Sequence, residues 1–334
     1  MRRISTLGLV MILPVLLVFT SGWGFLVHRT VHQLAIYQLP QKMGTFFYAN
    51  MEYLVNNAPR PDTRRNQDST EAPKHFIDLE AFGPDAAHKM PLDWQTALKE
   101  YSRDSLVKYG YVPYHVVYMK NKLTDAFRSG NKDSILFYAT DMAHYIGDAN
   151  VPLHSSINYD GQLSGQKGLH GLWESTVPEL VIGSYQLYTP HKAKYLKDPA
   201  TTIWTAVRRS AALVPAVLRI EKEVSVGFVD TTKYRIRMNR GRETRSYSTA
   251  FAKAYSAALG PMVNDQLIHS SEMIADFWFT SWVDAGKPDL AALISPDTKN
   301  TSQQLAAEKK LYKSNQLIEN KKLLSRKPGG TDQE

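Results

Sequence analysis

Ten histidines and no cysteine leave imidazole and carboxylate as the metal-binding chemistry open to this chain. The histidines are not scattered. His144 and Asp148 stand four apart, His154 follows just past Pro152, and His170 and Glu174 repeat the four-residue spacing. Residues four apart on a helix leave the same face on consecutive turns, so each pair can close on a single ion. Five nitrogen and oxygen donors in one short stretch exceed what a tetrahedral zinc takes from a protein, which implies at least two ions. The missing cysteines also exclude a disulfide scaffold, a thiolate zinc finger, a cysteine-held iron–sulfur cluster and a cysteine nucleophile.

The rest of the pattern reads as helix almost throughout. His28–Leu39 is closed by Pro40, and Thr45–Val55 ends before Asn56, Asn57 and Pro59. Leu92–Lys108, Val116–Arg128, Ser134–Gly147, Leu169–Ile182, Thr201–Val224 and Tyr247–Val283 complete the helical pattern, Ser134–Gly147 carrying an apolar stripe at Ile135, Tyr138, Met142 and Tyr145. Ala58–Pro91 is rich in proline, aspartate and charge and reads as one long irregular connection, a length that usually carries function. Asp62 and His75 lie within it, and a metal would give it a reason to be ordered. The basic stretch Lys233–Arg245 fits no element, and no strand pair with a hairpin turn stands out. With 43% hydrophobic and 22% charged residues, the composition is that of a globular chain. The expectation is an all-α fold.

Arg2 and Arg3, the apolar run Leu7–Phe19 and the small residues Thr20, Ser21 and Gly22 have the layout of a secretory signal. The run is shorter than the about 20 residues a membrane-spanning helix needs. Residues 1–22 are therefore expected to be removed, residues 23–300 to form the working domain in the periplasm or outside the cell, and 301–334 to be a basic tail, solvated or disordered. Much of the formal charge of +8 belongs to that signal and tail, so global charge says little about an anionic partner.

Taken in order, the motifs resemble those of the zinc-dependent phospholipase C and P1-type nuclease superfamily: Trp23-Gly24, His28, Pro61-Asp62 with Arg65, His75-Phe76-Ile77-Asp78, His144-Tyr145-Ile146-Gly147-Asp148, Pro152-Leu153-His154 and His170-xxx-Glu174. The resemblance runs from Trp23 to about Leu180, with weaker support from Phe277-Trp278 to Pro288. It implies an all-α fold with three zinc ions in a cleft. One zinc would be held by Asp62, His75, His144 and Asp148, and a second by His154, His170 and Glu174. The third would take the free amine and carbonyl of Trp23, His28 and the shared carboxylate of Asp148, and would form only after the residues before Trp23 are cleaved away. Asp62 would orient or deprotonate the attacking water, and Arg65 would hold a phosphate oxygen.

The two branches of the superfamily divide the remaining signals. The short gap between Trp23 and His28, and an arginine three residues after Asp62, resemble the nucleases. Phe76 and Asp78, which contact a base in that branch, have counterparts in the phospholipases. Glu174 and the His144–Glu174 segment resemble the phospholipases, and the Gly-Gly-Asn loop of many nucleases is missing. Thr63 and Glu71 or Ala72, however, replace the aromatic residues of a choline cage. The balance on sequence leans to a phospholipase C-like phosphodiesterase, with a P1-type nuclease acting on single-stranded nucleic acid as the alternative and a non-catalytic zinc-binding protein as a third reading. The expected partner is the phosphodiester substrate, a phospholipid headgroup or a nucleic-acid strand, and the expected state is a monomer without a stable protein partner. His32, His88, His115, His191 and His269 are read as structural or exposed.

Overall fold

The computed structural model describes residues 24–239, 242–294 and 300–326. The body is all-α. Helix α1 (Phe25–Gln38) is followed by α2 (Gln41–Ala49), α3 (Met51–Asn57) and the single turn α4 (Arg60–Arg64). Short 3-10 turns at Ala72–Lys74 and Leu79–Phe82 and α5 (Ala86–Lys89) punctuate the long connection, which is otherwise irregular as expected. Then come α6 (Trp94–Tyr101), α7 (Arg103–Tyr109), α8 (Val112–Ser129) and α9 (Lys132–Ala149). A 3-10 turn at Pro152–Ser155 leads through a loop to α10 (Leu169–Gly171), a π-helical turn (Leu172–Thr176) and α11 (Val177–Val181), which run on as one helix. The chain continues through α12 (Pro199–Ser225), α13 (Asp230–Lys233), strands β1 (Tyr234–Asn239) and β2 (Arg242–Tyr247), α14 (Thr249–Leu259), α15 (Met262–Asp284) and α16 (Thr301–Lys313).

Helices α1, α8, α9 and α15 pack together as the centre of the molecule. Val27, Val31, Leu34 and Ala35 of α1 recur at helical spacing and are fully buried, which is what fixes that helix against its neighbours. Asn131 caps α9 by accepting the Ser134 amide at 2.8 Å, satisfying one of the orphan N–H groups of the first turn. Trp278 of α15 joins three elements: its indole N–H donates to the Ala139 carbonyl at 2.9 Å, its ring packs on Phe47 at 4.6 Å, and its edge meets His32.

Several boundaries differ from the sequence expectation for local reasons. Asn50 divides Thr45–Val55, and Ser102, at φ 61°, divides Leu92–Lys108. Gly260-Pro261 divides Tyr247–Val283. The unplaced basic stretch Lys233–Arg245 folds as an antiparallel hairpin with Tyr234 opposite Tyr247 and Arg237 opposite Thr244. Its first strand alternates, with Tyr234, Ile236 and Met238 against Arg235, Arg237 and Asn239, but the second, Arg242–Tyr247, is polar until Tyr247, so the period-two signal does not repeat across the pair.

Of the segment read as a solvated tail, residues 301–326 are packed down instead. Leu305, Tyr312, Leu317 and Leu323 are buried. Tyr37 donates to Glu308 Oε2 at 2.9 Å, and the Gln33 amide bonds the backbone of Lys322 and Leu324. Lys310, Lys313, Lys321 and Lys322 face solvent while the apolar stripe of α16 closes over α1 and α2, so counting charge alone missed the amphipathic pattern.

Candidate metal centre

Helix α9 is buried along most of its length and presents His144 and Asp148, both inaccessible to solvent, from consecutive turns of one face. Five other segments bring donors to that face. His28 comes from α1 and stacks on His144 with ring centroids 3.9 Å apart. Asp62 comes from α4, and His75 follows the turn at Ala72–Lys74. His154 sits in the turn at Pro152–Ser155, laced to the irregular segment after His75 by Ile77 N–H to His154 O and by His154 Nδ1 to His75 O at 2.7 Å. His170 and Glu174 come from the helix beyond, with Glu174 in its π-helical turn, a distortion that is frequent at functional sites.

These donors gather as three groups whose ligand atoms lie within 4.8 Å of one another: His28, His144 and Asp148; Asp62, His75 and His144; and His154, His170 and Glu174. Asp148 is the hinge between them. Its Oδ2 lies 2.9 Å from His75 Nδ1 and 3.2 Å from His144 Nε2, while its Oδ1 faces His28 Nε2 at 3.5 Å and His154 Nδ1 at 3.6 Å. Asp62 Oδ1 is 3.6 Å from His75 Nδ1 and 3.7 Å from His144 Nε2.

The donor set fits divalent zinc. Two imidazole nitrogens on one tetrahedral zinc, each about 2.0–2.1 Å from it, sit about 3.3 Å apart. His144 Nε2 and His75 Nδ1 are 3.2 Å apart, and His154 Nε2 and His170 Nε2 are 3.1 Å apart. The opposite nitrogens are turned to acceptors, His144 Nδ1 to Ala58 O at 2.9 Å and His170 Nδ1 to Tyr159 O at 3.0 Å. That arrangement puts the proton of His144 and His170 on Nδ1 and leaves their Nε2 to meet an ion, while His75 presents Nδ1. Asp62 Oδ2 and Glu174 Oε1 are buried without a hydrogen bond, which is costly for a carboxylate unless a cation meets it.

Electrostatics favours the cation-binding forms of the acids. Burial would raise Asp148, but His144 and His154 hold it well below the usual carboxylate range. Glu174, likewise opposed by burial, is pulled down to about 2 by His170 and His154. Against its burial, His144 is raised to about 9 by Asp148 and Asp62, and His154 is raised by Asp148 and Glu174.

Behind the donors lies an ion-pair network that the sequence reading did not single out. Asp141, one turn before His144, accepts from Arg60 Nε at 3.0 Å, Arg60 Nη2 at 2.5 Å and Arg64 Nη2 at 2.9 Å. Arg64 also grips both oxygens of Glu71 at 3.0 Å, and Lys74 and the Tyr145 hydroxyl donate to the same carboxylate. Glu71 Oε1 then faces His75 Nε2 at 3.5 Å, the nitrogen turned away from the cluster. Burial opposes it, but His75, Arg64, Lys74 and Tyr145 hold Glu71 well below the ordinary carboxylate range. The only sequence clue was a charged residue inside a connection that had to be ordered.

Arg65 places Nη1 3.5 Å from Asp62 Oδ1. Phe76 and Asp78 are half-buried. Burial and the neighbouring Glu80 push the Asp78 carboxyl up to about 6, with His154 opposing. Trp23 lies outside the described residues; its neighbour Gly24 donates its N–H to Glu174 O at 3.2 Å, and a β-carbon there would meet Ser175 Oγ at 2.8 Å. His32 turns its nitrogens to the carbonyls of His28 and Thr140. His191 pairs with Asp276, and His269 with Glu272.

An all-α body that converges histidines and carboxylates from six segments onto one buried face is the arrangement that the resemblance to the zinc-dependent phospholipase C and P1-type nuclease superfamily implies. No family model matches the chain. It is 28% identical over 185 residues to Nuclease S1 of Aspergillus oryzae (strain ATCC 42149 / RIB 40), a match spanning 50% of this chain and 58% of that nuclease. Among the described residues no helix is long and apolar enough to cross a membrane.

Proposed function

We propose that this chain is a zinc-dependent phosphodiester hydrolase of the P1-nuclease kind, exported from the cell and acting on single-stranded nucleic acid. The observation that carries the reading is the likeness to Nuclease S1 together with three donor groups on one face. That relative shifts the balance from the phospholipase C reading, to which the sequence leaned, to the nuclease alternative. The ligands would be Asp62, His75, His144 and Asp148 for one ion and His154, His170 and Glu174 for a second, with His28, Asp148 and the Trp23 terminus for a third. Bound zinc would supply positive charge for the phosphoryl oxygens and acidity for an attacking water.

The protein's own groups divide the remaining work. Asp62, held beside the cluster with Oδ2 uncommitted, accepts the proton of the attacking water. Arg65, partly exposed and adjoining Asp62, holds a phosphate oxygen. Phe76 and Asp78 receive the base next to the scissile bond, Phe76 by stacking and Asp78 as a hydrogen-bonding carboxyl. The test is hydrolysis of oligothymidylate and of phosphatidylcholine before chelation, after it and after zinc is restored. Metal-dependent cutting of the oligonucleotide alone is expected; cutting of phosphatidylcholine alone would return the assignment to phospholipase C, and metal-independent activity would overturn both.

A further inference from the structure

We propose that the hairpin of β1 and β2 is a nucleic-acid-gripping arm whose arginine face, carrying Arg235 and Arg237, binds the phosphates of a single-stranded substrate beside the metal centre. The proposal rests on the nuclease reading and adds to it a second contact surface. Residues 233–245 hold six basic side chains and one acid, Glu243. Two of the cations have structural partners: Lys233 Nζ is 2.7 Å from Glu221 Oε1, and Arg245 lies 3.2 Å from Asp230 and over the Tyr234 ring at 3.5 Å. Arg235 and Arg237 are exposed, and among the described residues neither is joined to a carboxylate.

The register decides which polyanion suits the arm. Side chains two apart on a strand share a face and stand about 7 Å apart, so Arg235 and Arg237 line one face with their cross-strand partners Ser246 and Thr244. That face offers guanidinium and hydroxyl groups, the donors that suit phosphate oxygens. Ile236 and Met238, 63% and 70% exposed, point to the opposite face. A lipid surface would need the apolar and basic groups to descend together, whereas Arg235 and Arg237 leave the face opposite Ile236 and Met238, and Arg245, the base beside Ile236, is held by Asp230 and Tyr234. A strand of nucleic acid needs only the arginine face.

The root of the arm adjoins the site. Tyr247 donates to Glu221 Oε1 at 2.9 Å and contacts Gln166 O at 3.3 Å, and a β-carbon at Gly168 would lie 3.6 Å from its ring. Gly168 is two residues before His170. The arm is therefore rooted two residues from a metal-group donor through the face that carries Tyr247, Ile236 and Met238, which leaves the arginine face free for a strand that runs on from the site.

The experiment measures fluorescence anisotropy of a labelled phosphorothioate oligothymidylate, which keeps the backbone charge and resists hydrolysis, with the full zinc-loaded protein across a salt series. The Arg235→Ala/Arg237→Ala double variant should bind about tenfold more weakly at physiological salt, with a log–log salt slope shallower by about 1.4. Arg235→Lys/Arg237→Lys should recover most of the affinity, and turnover of bis-nitrophenyl phosphate, too small to reach the arm, should stay unchanged. Equal binding and equal slope in the alanine variant would overturn the arm while leaving the nuclease reading intact. Arginine-dependent sedimentation with phosphatidylglycerol vesicles, with oligonucleotide binding unaffected, would overturn it in favour of lipid. Arginine-dependent binding without cutting of ordinary oligothymidylate would support the arm and remove the nuclease reading.

Discussion

Asp141→Asn keeps the shape of a side chain that touches none of the donor atoms, yet it should weaken the metal centre. The Asp141 carboxylate is 1% exposed and receives three charge-assisted bonds from Arg60 and Arg64, whose side chains are 22% and 26% exposed. Breaking a buried ion pair from one side costs about 3–5 kcal/mol. Both guanidinium groups here keep contact with water, and Arg64 retains Glu71, which brings the expected loss to about 2–3 kcal/mol. For a chain of this size, with an unfolding entropy of about 2.1 cal/mol/K per residue, that lowers Tm by about 3–5 °C.

The functional consequence comes from position. Arg60 and Arg64 are the ends of α4, which carries Asp62, and Asp141 lies on α9, which carries His144 and Asp148. Loosening α4 from α9 separates Asp62 from His75 and His144 but leaves His154, His170 and Glu174 in place. Thermal melting of the zinc-loaded protein, with competition by a chromogenic chelator, reads both effects: a lower Tm and one weakened zinc, about tenfold as for the loss of a supporting interaction. An unchanged Tm would refute the energetic argument. Equal weakening of every zinc would refute the positional one.

Glu71→Gln should weaken the zinc held by His75 by about tenfold in the same chelator assay, because the imidazole loses the carboxylate behind its outer nitrogen; Tyr145→Phe, removing one donor to Glu71, should have a smaller effect. Asp78, raised to about 6, gains charge as pH rises through that value, so KM for an oligonucleotide should fall across pH 6, and Asp78→Asn should flatten the profile. Gly110→Ala should destabilise the protein by at least about 1–2 kcal/mol in urea unfolding, since Gly110 has φ 83° and a β-carbon there would lie 2.2 Å from the Phe76 carbonyl oxygen. A wild-type midpoint in that variant would show that the turn after α7 yields, and that Phe76 is not fixed by it.

The donors were legible because their spacing obeys helix geometry: His144 with Asp148, and His170 with Glu174, remain on one face whatever surrounds them. The all-α character was legible for the same reason. What the chain hid was everything that depends on distant partners. Asp141 reads as one acid in an apolar helix until Arg60 and Arg64 are seen to reach it across more than seventy residues of sequence. The hairpin escaped because only its first strand alternates: beyond Tyr234 and Tyr247 its described side chains are exposed, and no burial imposes the pattern on Arg242–Ser246. The last helix escaped because its lysines outnumber Leu305 and Tyr312, although those two carry its packing.

The absence of cysteine poses one further question, namely what holds Ala58–Pro91 in a single conformation. Zinc alone was the sequence-based answer, and the structure supplies a second. Arg60, Arg64, Glu71 and Lys74 tie the first half of the connection to Asp141 and Tyr145 of α9, and this tie runs through none of the donor atoms. Two acids and three bases thus hold Asp62 and His75 near their working separation, lowering the entropy that metal binding must overcome. The division of labour is testable by hydrogen exchange on the chelated protein. Amides between Arg60 and His75 should stay protected when zinc is removed, while those near His170, whose group has no such network behind it among the described residues, should exchange faster. If both regions lose protection equally, metal and not the ion-pair network orders the connection.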